Sequence, residues 1–156
     1  MKDLKKNFRI DNKGKSPAFY LKKKSNSLSA EIIKSINNYS KKNKVDSRIC
    51  LHDTAKDKVQ FMINSIQKKK NYFYNYHPFT EEYYYILQGK LLISYYEKNK
   101  KKKTILQKGN IELFKLEKNI LHVTIPLSKN CMFLEIRQGP FKSNTDAVFT
   151  KKKEII

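Results

Sequence analysis

Arginine is scarce in this chain, although the chain is strongly basic. Lysine and arginine together number 34 against 14 acidic residues, a formal net charge of +20, yet only Arg9, Arg48 and Arg137 are arginines. Nucleic-acid recognition favours arginine, whose planar guanidinium forms paired hydrogen bonds to bases and phosphates. Asparagine, isoleucine and tyrosine accompany the lysines, and all four are residues of AT-rich codons. Drift in genome composition therefore explains the lysines better than a nucleic-acid partner does, and nucleic-acid binding is kept only as the weaker alternative.

Long hydrophobic runs and Gly-rich phosphate-binding loops are also missing. No apolar segment follows the polar residues 1–6, so we expect no signal peptide. No window approaches the run of about 18 apolar residues that a membrane span needs. The two cysteines, Cys50 and Cys131, each lie in an apolar segment, which is typical of buried reduced thiols; a single disulfide is the alternative. We therefore expect a cytoplasmic protein without a membrane partner, folded as one domain.

The start of the sequence carries one strand signal and one helix signal. Residues 1–16 are polar and are expected to form a mobile segment, followed by a strand and a helix within residues 17–46. Ala18–Leu21 predicts a short edge strand, and such strands often pair with a partner subunit, so a homodimer is a fair expectation. An apolar repeat of helical spacing predicts an amphipathic helix that lies against the outside of a sheet. Its residues are Leu28, Ile32, Ile36 and Tyr39, with Ser27 or Ser29 as the cap.

From Arg48 onward the hydrophobic pattern has a period of two. The predicted strands are Val59–Ile66, Asn71–His77, Glu82–Gln88, Lys90–Tyr96, Lys103–Leu106, Ile111–Leu116, Leu121–Leu127 and Cys131–Arg137. Short strands separated by frequent turns predict a β-sandwich or small barrel over residues 47–150, followed by a basic tail at 151–156. The lysine cluster around Asn99 is interpreted as an exposed hairpin tip, and Gly109 is expected to make the next turn.

Two histidines and one glutamate form the pattern with the most chemical content. His77 is followed five residues later by Glu82, across a turn that contains Pro78, and His122 lies alone in a later apolar segment. Two imidazoles and one carboxylate are the minimum set that holds a divalent transition metal and leaves coordination positions open. Asn75 precedes His77 by two residues, so both side chains point to the same face of a strand. Each residue alone has an ordinary structural explanation, and the interpretation depends on the set.

These residues resemble the motifs of a known superfamily. Asn75, His77, Glu82 and Gly89 reproduce the spacing of the first cupin motif, with asparagine at the position of its first histidine. Residues 117–122 resemble the second motif, with Glu117 for the usual proline and Asn119 for the usual glycine. Asparagine is the next best residue after glycine where φ is positive. We expect Gly89 to form the turn that joins two strands.

More specifically, the chain resembles the WbuC family of cupin-fold metalloproteins over roughly residues 16–150. The resemblance rests on Ser47–His52, Lys58–Gln60, His122–Ser128, and Glu135 followed by Gly139–Phe141. It implies a mainly β fold, the cupin double-stranded β-helix (a small β-barrel or jelly roll) with one N-terminal α-helix. It also implies a link to bacterial O-antigen and surface-polysaccharide gene clusters, without an established reaction.

The resemblance and the spacing together predict one metal site. His77, Glu82 and His122 are the expected ligands of a divalent transition metal, with Fe, Mn, Ni and Zn not distinguished. Asn75 is expected to be a weak fourth ligand, or to orient a metal-bound water through a hydrogen bond. A degraded site that binds no metal is the alternative.

Further residues are expected to line a ligand cavity beside the metal. Tyr84 and Thr124 share strand faces with Glu82 and His122, and hydroxyl groups there suit a polyhydroxylated small molecule such as a sugar or nucleotide sugar. Arg48 and Arg137 are interpreted as anchors for a carboxylate or phosphate, or equally as members of structural salt bridges. His52 is expected either to line the cavity or to end a strand. Two functions follow from this cavity, a metal-dependent enzyme acting on a carbohydrate and a non-catalytic cupin that binds a sugar or a partner protein.

Overall fold

Two β-sheets form most of the protein. The structure, a computed structural model, describes residues 2–22, 28–69, 71–142 and 146–155. The elements are α1 (Lys2–Asn7), β1 (Phe8–Asp11), β2 (Ala18–Leu21), α2 (Ala30–Asn43), β3 (Ser47–Cys50), β4 (Val59–Ile66), β5 (Asn71–Tyr76), β6 (Glu82–Gln88), β7 (Lys90–Glu97), β8 (Lys100–Gln107), β9 (Leu113–Leu116), β10 (His122–Pro126), β11 (Cys131–Gln138) and β12 (Val148–Ile155). No helix within these ranges is both long and apolar enough to cross a membrane.

The sheets pack face to face as a jelly-roll sandwich. One sheet has the strand order β1-β2-β3-β4-β11-β6-β9 and the other has the order β12-β5-β10-β7-β8. Neighbouring strands are antiparallel except for the parallel pair β2 and β3. Ile86 and Phe133 from the first sheet pack against Leu91, Ile93 and Leu106 from the second, and all five side chains are buried. The mainly β fold class predicted from the sequence is confirmed, as two sheets with free edges rather than a closed barrel.

Helix α2 covers the outer face of the seven-stranded sheet, as its apolar repeat predicts. Ser29 caps its start by accepting a hydrogen bond from the amide of Ile32, while Ser27 lies outside the described residues. Ile36 is fully buried against Ile49 and Met132 of the sheet. Burial of one helical face supplies most of the stability of such a helix, because short helices are marginal alone.

The predicted strands are present with small shifts at their ends. Strands β4 and β6 have the predicted bounds, whereas β8 begins at Lys100 rather than at Lys103. The reason is that β7 and β8 pair as far as Glu97 and Lys100, so that only Lys98 and Asn99 form the turn, both with positive φ. The lysine-rich hairpin tip is exposed, as expected.

Both ends of the chain contain structure that the sequence analysis did not predict. Within residues 1–16, the structure has α1 and β1, with Leu4 and Phe8 buried against Phe19 and α2. Because β1 pairs with β2 on one side and β3 pairs on the other, β2 is not an edge strand. Strand β2 therefore gives no free edge for a partner subunit, and the homodimer stays a prediction. The expected basic tail belongs to β12, which pairs with β5.

Gly89 has a different role from the hairpin turn expected of it. Strands β6 and β7 lie in different sheets, and the chain crosses from one sheet to the other at Gly89. Its φ of +82° favours glycine, and a Cβ there would collide with the carbonyl oxygen of Asn130 and with Oγ of Ser128. The position therefore excludes side chains for two independent reasons.

Gly89→Ala is expected to lower the free energy of unfolding by about 2–5 kcal/mol, because the left-handed φ and the collision add together. Gly109→Ala is the matched control. Gly109 has a φ of +76° but no atom within 4 Å of the Cβ position, so only about 1–2 kcal/mol is expected. Urea denaturation measures both losses, and equal losses would contradict the collision at Gly89.

Candidate metal centre

The three predicted metal ligands meet between the sheets, although they are far apart in the chain. His77 follows β5 directly, His122 begins β10 in the same sheet, and Glu82 begins β6 in the opposite sheet. The loop before His122 is tied to His77, because the amide of Asn119 donates to the carbonyl oxygen of His77 at 2.8 Å. Asn119 has a φ of 61°, the conformation expected at the glycine position of the second motif.

Glu82 lies between the two imidazoles. Its Oε1 is 3.0 Å from Nε2 of His77, and its Oε2 is 3.0 Å from Nε2 of His122. One ligand atom from each residue lies within 4.8 Å of the others. The exposed fractions are 6% for His77 and 3% for Glu82 and His122, so water screens these contacts little.

Backbone carbonyls fix the orientation of both imidazoles. Nδ1 of His77 donates to the carbonyl oxygen of Asp146 at 2.5 Å, and Nδ1 of His122 donates to that of Ile120 at 2.9 Å. A carbonyl oxygen only accepts, so each Nδ1 carries a proton and each neutral imidazole turns its Nε2 lone pair towards Glu82. Lone pairs that face a carboxylate need a cation between them, either protons or a metal ion. This arrangement is also the usual one for metal-binding histidines.

The electrostatics of the three residues agree with this need for a cation. Burial lowers the pKa of His77, but the hydrogen bond to Glu82 and its negative charge outweigh burial, so the pKa is raised above its ordinary value. Burial likewise raises the pKa of Glu82, but the charge and the hydrogen bonds of the two histidines hold it well below the ordinary range. Without a metal, the centre therefore retains protons on imidazole and negative charge on Glu82.

Tyr84 and Glu135 complete the polar surroundings of Glu82. The hydroxyl of Tyr84 donates to Oε2 of Glu82 at 2.7 Å, and burial together with the charge of Glu82 raises the pKa of Tyr84 well above 10. Glu135 pairs with Tyr84 across β11 and β6 and accepts from Nδ2 of Asn64 at 2.8 Å. Burial and then the charge of Glu82 raise the pKa of Glu135. The sequence analysis named Glu135 only within the family resemblance and missed Asn64, because neither has a local signal.

Asn75 faces the centre, as its spacing from His77 predicts. Its Nδ2 lies 3.2 Å from Nε2 of His77, and its backbone pairs with that of His122. The oxygen and nitrogen of an amide are assigned from the hydrogen-bond network, so rotation of the side chain presents Oδ1 to the same position. Whether Asn75 binds a metal stays a prediction.

Comparisons with known proteins identify the fold. No family model and no curated protein sequence matches the chain. Among solved structures, CapF with the inhibitor 3-isopropenyl-tropolone is similar with a TM-score of 0.56 and 14% identity, over 69% of this chain and 32% of that one. The capsular polysaccharide assembling protein CapF from Staphylococcus aureus has a TM-score of 0.54 and 15% identity, over 67% and 29%. An oxalate decarboxylase from Lactobacillus farciminis, in a formate complex, has a TM-score of 0.50 and 18% identity, over 60% and 27%.

The fold is a cupin fold. Identities this low support the fold alone, and the chain spans only about a third of the length of these proteins. Membership of the WbuC family therefore stays a prediction.

Arg137 is held in an ion-pair network beside His77. Its Nη1 lies 3.4 Å from Nδ1 of His77 and 3.5 Å from Oδ2 of Asp146, and its Nε lies 3.9 Å from Oε1 of Glu135. Of the two roles expected for Arg137, these contacts favour the structural salt bridge. Arg48 differs, since within the described residues its side chain has no hydrogen bond and no ion pair.

The cavity beside the centre contains most of the residues expected to bind a ligand. Its volume is about 490 Å³, and besides the three predicted metal ligands and Asn75 it is lined by Lys13, Gly14, Lys15, Arg48, Tyr84, Thr124, Glu135, Arg137, Phe141, Ala147 and Phe149. His52 is the exception, since it lies in a neighbouring chamber, where its Nδ1 accepts from the amide of Phe61 at 3.1 Å. The sequence analysis missed Lys13 and Lys15, because their loop is distant from the motifs. The binding roles of the lining residues stay predictions.

Glu82→Gln is expected to destabilise the metal-free protein most between about pH 5 and pH 6, by a few kcal/mol, because the variant leaves buried imidazoles without a counter-charge. A raised His77 pKa stabilises the folded state below the ordinary value of about 6.5, and this stabilisation is lost as pH rises through the raised pKa. The lowered Glu82 pKa stabilises the folded state above about 4.3, and this part is lost at lower pH.

Urea denaturation in a chelator between pH 4 and pH 9 measures this difference. Glu81→Gln, at the partly exposed neighbour that pairs with Lys115 outside the centre, is the matched control and is expected to change little. A difference between wild type and Glu82→Gln that is constant across this pH range would contradict the coupling.

Proposed function

We propose that this cupin binds one divalent transition metal per chain, at His77, Glu82 and His122. The supporting observation is the pair of Nε2 atoms that face one buried carboxylate while both Nδ1 atoms are hydrogen-bonded to backbone carbonyls. Three protein ligands leave coordination positions open for a ligand from the cavity, and Asn75 offers one further, weaker oxygen. The bound metal would supply Lewis-acid or water-activating chemistry at this position.

We further propose that the cavity binds, or acts on, a carbohydrate intermediate in bacterial surface-polysaccharide biosynthesis, such as that of O-antigen. The hydroxyl of Thr124 on the cavity wall suits a polyhydroxylated ligand, and that of Tyr84, which donates to Glu82, has a lone pair left to accept from one. The resemblance to the WbuC family supports this class of ligand, and so does the fold shared with CapF, a capsular polysaccharide assembling protein. In this role the protein acts in the cytoplasm. As an enzyme it would act on a sugar or nucleotide sugar.

A non-catalytic cupin that binds a sugar or a partner protein is the second candidate. Asn75 favours it, because an amide binds Fe, Ni or Zn more weakly than the imidazole usual at this position of the motif. In that case the three ligands would be the remains of a metal site, and protons on the imidazoles would balance the charge of Glu82. Metal content separates the two candidates.

Protein purified without a histidine tag is expected to contain close to one transition-metal ion per chain, measured by elemental analysis. His122→Ala removes one of three strong ligands and should lose most of this metal. His52→Ala is the matched control, because His52 lies outside the centre and should leave the metal content unchanged. No metal in the wild-type protein, even after dialysis against Mn²⁺, Fe²⁺, Ni²⁺ or Zn²⁺, would favour the non-catalytic candidate.

Asn75→His is expected to tighten metal binding by at least about 10-fold, since it adds an imidazole beside His77. Metal that binds only the folded state adds to stability, so the melting temperature of the variant should rise in saturating metal. In a chelator the rise should disappear. Isothermal titration with the metal measures the affinity, and an unchanged affinity together with loss of binding in His122→Ala would mean that residue 75 does not contact the metal.

A further inference from the structure

A second chamber opens beside the cupin cavity, and we call it the side chamber. Its volume is about 220 Å³, and it lies over β2, β3 and β4, whereas the cavity lies over β6 and β11. Tyr20, His52 and Gln60 line the side chamber alone, and Arg48, Arg137 and Phe141 line both spaces. The two arginines therefore stand where the side chamber meets the cavity.

Both arginines have hydrogen-bond donors that the protein does not use. The guanidinium of Arg48 is partly buried and, within the described part of the chain, makes no hydrogen bond and no ion pair. It lies against the loop at Gly14, with Nη2 3.5 Å from the position that a Cβ would take there. Arg137 is 7% exposed, and its Nε is buried without a hydrogen-bond partner. The Arg48 guanidinium is therefore open to an acceptor from outside the protein, whereas the buried Nε of Arg137 is costly without one.

The remaining polar groups of the side chamber agree with an anionic acceptor. Arg137 is paired with Asp146 and Glu135, so Arg48 and Lys13 supply the positive charge, and Asp11 is the one carboxylate among the lining residues. Nδ1 of His52 lies 3.1 Å from the amide nitrogen and 3.2 Å from the carbonyl oxygen of Phe61, so its ring is held against β4. Gln60 already donates to the carbonyl oxygen of Asp57 at 3.1 Å. Donors and positive charge therefore outnumber acceptors in this space.

We propose that the side chamber binds the anionic group, a carboxylate or a phosphate, of a sugar derivative whose sugar ring extends into the metal-site cavity. The contact between the sugar ring and the metal rests on the proposed function above, whereas the anion site does not. A guanidinium matches both oxyanions, because two of its N–H groups bind two oxygens at once. Arg48 is the anchor, while Arg137 stays paired with Asp146 and Glu135 beside it.

The spacing of the strands fits a ligand of this class. Residues of β4 and β11 stand between Arg48 on β3 and Glu82 on β6. Three strand spacings of about 4.8 Å separate β3 from β6, roughly 14 Å between their backbones. The two side chains cover part of this distance, and a sugar that carries a phosphate or carboxylate reaches across the remainder.

Isothermal titration with glucose-1-phosphate, glucuronate and glucose tests the proposal, on metal-loaded and on chelator-treated protein. Wild-type protein is expected to bind at least one of the two anionic probes more tightly than glucose. Arg48→Gln should weaken that binding by at least about tenfold, because a charge-assisted bidentate contact is lost. Arg48→Lys keeps the positive charge but loses the paired N–H groups, so its affinity for the probe should lie between those of wild type and Arg48→Gln. Lys100→Gln, at the exposed hairpin tip, removes the same charge and should bind like wild type.

The outcomes separate the anion site from the metal site. Tight binding of glucose-1-phosphate alone assigns a phosphate, and tight binding of glucuronate alone assigns a carboxylate. Anionic probes that bind no more tightly than glucose, or variants of Arg48 that bind like wild type, overturn the side-chamber proposal even if metal binds. If wild-type protein binds no metal but binds an anionic probe through Arg48, the proposed function fails and the anion site stands. Metal affinity should be equal in Arg48→Gln and wild type.

Discussion

A buried carboxylate that faces two imidazoles is the interaction on which the centre of this protein depends. Glu82 is enclosed between His77 and His122, and burial alone would raise its pKa. The charge and the hydrogen bonds of the two histidines outweigh burial and hold this pKa well below its ordinary range. The carbonyls of Asp146 and Ile120 direct both rings towards it, so the geometry suited to a metal exists before any metal binds.

The sandwich holds this arrangement because the ligands come from both sheets. The chain crosses between sheets after β5, where Pro78 ends the strand, and again at Gly89, where no side chain fits. His77 and Glu82 therefore face each other across the space between the sheets. The polar row behind Glu82 continues on β11 with Arg137 and on β4 with Gln60. This row connects the metal-site cavity to the side chamber.

The arginines lie at different places in the structure from the lysines. Among the residues whose burial the structure describes, nearly all lysines lie at exposed positions, which agrees with compositional drift. By contrast, Arg48 and Arg137 line the side chamber, and Arg9 stacks on Tyr20 in its wall at 4.2 Å. All three arginines thus lie around one chamber, in a chain whose other cationic residues are lysines. Guanidinium groups stack on rings and bind oxyanions in pairs, which an ammonium group does not reproduce.

The sequence by itself determined the features that depend on residues close together in the chain. It predicted the helix with Ser27 or Ser29 as its cap, most strands, the positive φ at Asn119, and the set of two histidines and one glutamate. Alternation, capping and turn geometry act over a few residues, so they leave a pattern in the sequence. Motif spacing adds to these features only residues such as Asn75, which shares a strand face with His77.

Only the tertiary structure decided which distant groups meet. The sequence carries no sign that the carbonyl of Asp146 holds His77, that Arg137 lies in an ion-pair network while Arg48 has no partner, or that His52 lies outside the metal-site cavity. The N-terminal elements and β12 likewise form through burial of Leu4 and through pairing with strands far away in the chain. These contacts follow from strand order and register, which are set by packing of the whole sandwich, and no local pattern records them.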